Sequence, residues 1–162
     1  MAFDAFLKIE SIDGESRDAK HPGWIDVLSF SWGETQAIDV SGGGGAGTGK
    51  VSMQDMHFVA ATQKSSPKLF LACANGQHIK QAYLELRKSG GDPFTFVKWT
   101  LTDLLVTSYD TAGNPDGGTA VPTDSFSFNF AKIEFAYTEQ SANGSPGTTI
   151  SEGWDRKNNA GF

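Results

Sequence analysis

The chain has 162 residues, 13 Lys and Arg against 19 Asp and Glu for a net charge of −6, a single cysteine, and no apolar run approaching the length of a membrane span. A nucleic-acid binder needs a basic stripe to neutralise phosphates; neither the total charge nor any local cluster supplies one, so nucleic acid and membrane insertion are both set aside. With Cys73 alone an intramolecular disulfide is excluded, and a reduced, buried thiol is expected.

The length suits one domain over residues 1–162, able to bury about 70% of the surface its unfolded chain exposes. The first eight residues, MAFDAFLK, lack a basic segment followed by an apolar core, so the chain reads as a cytoplasmic product without a cleaved signal peptide.

In chain order, residues 3–9 form a strand candidate closed by the turn composition Asp13-Gly14-Glu15-Ser16. Residues 24–32 follow, with Leu28, Phe30 and Trp32 on one face and Ile25, Val27, Ser29 and Ser31 on the other, since residues two apart share a face. Ser29 and Ser31 should look into water. Residues 41–50, SGGGGAGTGK, then place six glycines in ten positions, a stretch that is either floppy or held by something else.

Gly44, Gly49 and Lys50 fit the start of a phosphate-binding loop, but Val51 stands where that loop needs a Ser or Thr, and residues 51–60 read as a strand and not as a helix. A connection ordered by a partner is the preferred reading. The apolar phase of 51–60 slips between Met53 and Met56, which implies a bulge or a bend.

The one convincing helix comes next. Ser66 is a natural N-cap, Pro67 fits the first helical position, Leu69, Phe70 and Cys73 give an apolar stripe, and Gly76 stops it. From Ile79 the pattern is β again, with Ala82, Leu84 and Leu86 inward. Residues 94–109 are too long for one flat strand, about 50 Å at 3.3 Å per residue, and must curve or break. Phe126, Phe128 and Phe130 share a face before Ala131, Ile133, Phe135 and Tyr137 take the other; strands that exchange faces turn the corners of barrels.

Nineteen aromatics, twelve of them Phe, with one short helix give an all-β fold, a closed barrel of two packed sheets with long Gly-rich loops. Residues 33–50, 110–124 and 139–153 stand outside the strands, and loops of that length are either functional or disordered. We expect neighbouring chains to order some of them.

No catalytic, metal or cofactor site emerges. His21, His57 and His78 have no metal-ligand spacing. Asp55 and His57 lie two apart and could polarise one another, but no nucleophile is tied to them and a solvated strand face explains them more simply. Trp24, Trp32, Trp99 and Trp154 could form a sugar-stacking platform, although the first three sit in strand patterns where core packing is the usual role. A nucleotide-binding enzyme using residues 41–50 and a ligand-binding β-sandwich remain the alternative readings.

Five segments together carry a resemblance: Ile25-Asp26-Val27-Leu28 running into Ser31-Trp32-Gly33; the glycine stretch; Lys64-Ser65-Ser66-Pro67-Lys68-Leu69 with Ala72-Cys73-Ala74-Asn75-Gly76; Asn129-Phe130-Ala131-Lys132-Ile133; and Gly153-Trp154-Asp155. In this order and spacing the chain resembles the haemolysin-coregulated protein (Hcp) family from Met1 almost to Phe162. The resemblance implies a barrel with one flanking helix and no enzymatic activity. It further implies six-membered rings stacked into the inner tube of the type VI secretion system, which a contracting sheath drives into a neighbouring cell, with a spike protein and small effectors as further partners. On it, Gly42, Gly43, Gly44, Gly45, Gly47, Gly49 and Lys50 belong to a loop reaching another subunit, and Ser29 and Ser31 face a hydrated lumen. Only eight residues follow Trp154, so the plain tube form without an appended toxin is expected. Residues 110–124 and 156–162 have no confident counterpart in the family pattern.

Overall fold

The computed structural model describes residues 2–38, 41, 50–90, 92–118 and 120–162. Strand β1 (Phe3–Ile9) lies between β2 (Ile25–Ser31) and β6 (Ile79–Lys88), both antiparallel to it. Beyond β2 comes β5 (Met56–Ala61), and beyond β6 comes β7 (Thr95–Ala112). The long strand β8 (Thr123–Gln140) pairs with both β5 and β7, which closes a six-stranded barrel in the order β8-β5-β2-β1-β6-β7. Closure leaves these strands no open edge within the barrel.

β8 is longer than the barrel is tall. Its residues from Thr123 to Phe128 pair with β5 on one edge, while Lys132 to Gln140 pair on that same edge with β9 (Pro146–Asp155). The other edge is taken by β7 from Val97 to Ala112. A two-residue strand β10 (Ala160–Gly161) finishes against the end of β9, and β3 (Glu34–Thr35) pairs with β4 (Ser52–Met53) in a separate two-stranded ladder.

The face exchange expected of the long strands occurs in both at one level. In β7 the buried positions Val97 and Leu101 give way to Leu104 and Val106; in β8 Phe126, Phe128 and Phe130 give way to Ile133. Each strand takes one step of three in place of two, and the steps lie opposite each other, Leu101 beside Ile133 and Leu104 beside Phe130. Asp103 sits at the step with φ of 54°, a left-handed conformation that Asp tolerates better than most residues and that breaks a strand's alternation. The two strands therefore curve together as single eighteen-residue elements.

The barrel is filled by Leu7, Ile9, Ile25, Met56, Phe58, Leu69, Leu84, Leu101, Leu104, Phe126 and Phe128. Phe58 lies 5.4 Å from Phe126 and 5.3 Å from Phe128 between ring centroids. Each fully buried ring stabilises the fold by roughly 1.5–3 kcal/mol.

Several expectations are corrected. Leu28 does not join Phe30 and Trp32: the register slips between Val27 and Ser29, so Ile25 and Val27 face inward, Leu28 is thrown out at 65% exposure, and the inward face resumes at Phe30. Helix α1 (Ser66–Asn75) has Ser65 as its N-cap; the Ser66 hydroxyl instead accepts the Gln63 backbone N–H. Phe70 is 60% exposed, and the helix buries Leu69 and Ala72; Cys73 is half-buried. Gly76 ends it at φ 65°, as its position suggested.

The stretch 139–153 is mostly strand, with a five-residue turn between β8 and β9, and 110–124 shrinks to the ten residues separating β7 from β8. The slip between Met53 and Met56 is the break between β4 and β5.

Candidate functional site

Ser29 and Ser31 are both exposed, as expected, because the Leu28 bulge sets the phase of the strand's last three residues. Across the sheet each begins a row. Ser29 pairs with Val59, Val59 with Ser125 and Ser125 with Asp110; Ser31 pairs with His57, His57 with Ser127 and Ser127 with Ser108. Directly opposed residues of antiparallel strands share a face. The outer wall across β2, β5, β8 and β7 is therefore built mainly of short hydroxyl side chains. Ser127 is buried beneath its neighbours, its hydroxyl 2.8 Å from Thr107 Oγ1. Thr107 in turn donates to Asp55 Oδ2 at 2.8 Å, and Asn129 Nδ2 donates to Asp55 Oδ1 at 2.8 Å. The Asp55 carboxylate is thus engaged by Thr107 and Asn129, while His57 stands exposed on β5; the pair works as strand-face structure.

A second surface lies at the root of the β3–β4 ladder. Trp32, Trp99, Phe135, Trp154, Ile133, Met53 and Val51 line a groove of about 730 Å³, with Glu34, Thr35, Gln36 and Glu152 at its polar margin. Trp32 is fixed by an Nε1–H hydrogen bond to the Gln54 carbonyl at 2.9 Å. Of the four tryptophans weighed as a platform, the fold brings Trp32, Trp99 and Trp154 together here. Trp24 stands elsewhere, edge-on to His21.

Two buried polar clusters support these faces. Asp124, 1% exposed, accepts hydrogen bonds from Thr62 Oγ1 at 2.9 Å, Tyr109 OH at 3.0 Å and the Ser66 hydroxyl, which ties helix α1 and the turn before it to β7 and β8. Burial raises the Tyr109 phenol above its ordinary pKa, and its bond to Asp124 raises it further. On the far side, the Arg87 guanidinium grips Asp18 through two bonds of 2.7 and 3.0 Å and His21 Nδ1 meets the same carboxylate at 2.8 Å. Arg87 first, then His21, hold the Asp18 carboxyl far below the usual carboxylate range, and Asp18 pushes the Arg87 pKa up. His21 stacks on Phe6 at 4.1 Å, so this network pins the 10–24 segment over β1. His78 is exposed, away from both clusters. Neither cluster was visible in the sequence, because their members lie up to 69 positions apart.

Gly42, Gly43, Gly44, Gly45, Gly47 and Gly49 lie outside the described residues. Lys50 is exposed and leads directly into β4 instead of the helix N-terminus that a phosphate cradle requires. Among the described residues no cluster of three His, Cys, Asp or Glu side chains is placed to hold a metal ion, and no helix is long and apolar enough to cross a membrane.

A closed barrel whose buried carboxylate Asp124 and half-buried Asp18 are taken up in structural networks and which displays broad strand faces defines a β-barrel scaffold protein. The family described as type VI secretion system effector, Hcp, matches residues 6–137. Protein hcp1 of Pseudomonas aeruginosa is 40% identical over 161 residues, covering 98% of both chains. A solved structure of a type six secretion system protein superposes with a TM-score of 0.93 at 34% identity, over 99% of this chain and all of the other. The crystal structure of Hcp1 from Salmonella typhimurium superposes over the full length of both chains with a TM-score of 0.82 at 37% identity. The chain belongs to the Hcp family of type VI secretion proteins, which are secreted structural proteins and not enzymes.

Proposed function

We propose that this chain is the subunit of a type VI secretion inner tube. Six copies close into a ring, rings stack, and the tube is expelled into a target cell with small effectors held in the ring lumen. The observation that supports the reading most is the hydroxyl-rich wall. Ser29, Ser31, Ser108 and Ser125 lie on rows that cross four strands, a surface that stays hydrated and offers cargo no large apolar patch. In this reading that wall faces the lumen. Lys50 and the glycines between residues 42 and 49 contact a neighbouring subunit, where the missing Cβ permits close backbone approach.

The same reading makes residues 1–162 one barrel domain that is secreted through the type VI system, with the spike protein, sheath and effectors as partners.

Light scattering on the purified, untagged protein over a range of concentrations tests ring closure. Six times 17.3 kDa is about 104 kDa. A stable species at that mass, with stacked rings under the electron microscope, is the expected result. A monomer at every concentration overturns the tube reading and leaves the fold intact.

A further inference from the structure

We propose that the groove at the root of the β3–β4 ladder is a binding site for a small organic cation of the quaternary-ammonium class. The inference stands apart from ring assembly and rests on three features of the groove. The first is size and shape: about 730 Å³ falls within the range of small-ligand sites, and the lining is chiefly aromatic and aliphatic.

The second is the arrangement of the rings. Trp32 and Trp99 meet at 58° with centroids 5.4 Å apart, and Phe135 stands edge-to-face to Trp99 at 68° and 4.0 Å. Rings set at such angles form a corner with π faces on more than one side, the arrangement that attracts a cation through the ring quadrupoles. The Trp32 N–H is already committed to the Gln54 carbonyl, so this indole presents its face and not a donor. Phe135 is 37% exposed, a large apolar side chain left partly uncovered beside the groove.

The third feature is charge. Among the described residues the groove's ionisable lining side chains are Glu34 and Glu152, both exposed, and neither has an ion pair or a hydrogen bond. No Lys, Arg or His side chain among the described residues lines it. An anion meets two carboxylates there and no positive partner. A compact, strongly hydrated ammonium such as a lysine head sheds its water at high cost to enter an aromatic corner. A quaternary ammonium is weakly hydrated, has an apolar skin that suits Ile133, Met53 and Val51, and carries the charge that both the rings and the carboxylates attract.

The test uses the full chain labelled with 5-fluorotryptophan, whose four residues each give a 19F signal. Choline is titrated at constant ionic strength against its neutral isostere, 3,3-dimethylbutan-1-ol. The expected result is a saturable shift of the Trp32, Trp99 and Trp154 signals with choline at millimolar concentration, while Trp24 stays still. The alcohol should need about 10-fold higher concentration. Glu34→Gln and Glu152→Gln, conservative changes at exposed positions that leave the barrel core untouched, should each weaken choline about 3-fold. Equal binding of choline and alcohol overturns the proposal in favour of a merely apolar groove. So does the absence of any shift up to 100-fold above the millimolar range, as when a neighbouring copy or another part of the chain fills the groove, and so does a shift of Trp24 together with the rest.

Discussion

Replacing Asp124 is the sharpest test of how the helix is held to the barrel. Its carboxylate is 1% exposed and accepts from three hydroxyls, those of Thr62, Ser66 and Tyr109. Hydrogen bonds to a charged group each contribute roughly 1.5–3 kcal/mol net, but part of that is spent on burying the carboxylate itself. Asp124→Ala removes the acceptor and leaves the Thr62, Ser66 and Tyr109 hydroxyl protons facing a cavity, each costing about 1–3 kcal/mol. Ser66 keeps its bond with the Gln63 N–H. The expected loss is about 3 kcal/mol.

Asp124→Asn keeps the shape and one oxygen, and Ser66 can turn its lone pair toward the new amide, so a loss of only about 1–2 kcal/mol is expected. Urea unfolding at two protein concentrations gives these values free of any assembly contribution. The Tyr109 phenol supplies a second readout. Its folded pKa lies above the unfolded value of about 10, so its contribution to stability is full below pH 10 and lost as pH rises through the folded value. Without Asp124 the phenol loses part of its elevation, so in the folded protein it titrates at lower pH and its share of the alkaline decline shrinks. An Asp124→Ala protein within 1 kcal/mol of the parent, with an unchanged tyrosine titration, would refute the account.

Phe128→Ala, at a position with no exposure beside Phe58 and Phe126, should destabilise by about 3–5 kcal/mol, read from the urea midpoint. Arg87→Met should raise the Asp18 pKa toward the ordinary carboxylate range. Asp18 now has a depressed folded pKa, so its contribution is present above the unfolded value near 4 and lost as pH falls through the folded one; the variant's acid unfolding, followed by circular dichroism, should therefore begin at higher pH. Gly14→Ala places a Cβ 2.5 Å from the Trp24 carbonyl oxygen and 2.8 Å from the Ile25 Cα, backbone that cannot step aside, and a lower melting temperature is expected. Ser31→Glu should change stability by less than about 0.5 kcal/mol while reducing effector retention in a secretion assay; unchanged retention removes the lumen assignment.

The elements that could be read from the sequence are those whose local pattern and tertiary role agree. β6 alternates from Ala82 through Leu84 to Leu86, and α1 carries its proline and its terminal glycine, so their spans follow from local rules. β9 was missed because Pro146, Gly147 and a run of Thr and Ser look like loop; its strand character comes from pairing with β8 and not from its own side chains. Leu28 was placed on the wrong face because a bulge needs a partner strand to define it. Phe70 satisfies the helical stripe yet lies largely exposed beside Tyr109, because α1 turns Ser66, Leu69 and Ala72 toward the barrel. Of the candidate sites, the exposure of Ser29 and Ser31 was legible from their small polar side chains beside Phe30 and Trp32, and not from the strand's alternation, which grouped them with the inward Ile25 and Val27. The meeting of Trp32, Trp99 and Trp154 was not, because it depends on how β8 carries β9 past the end of the barrel.

That overhang has a mechanical side. β9 is joined to the barrel through β8 alone among the described strands, and β8 is held along nearly its whole length by the fourteen-pair ladder to β7. A pull on the overhang runs along the axis of β8 and loads that ladder in shear, so its bonds share the force instead of parting one after another.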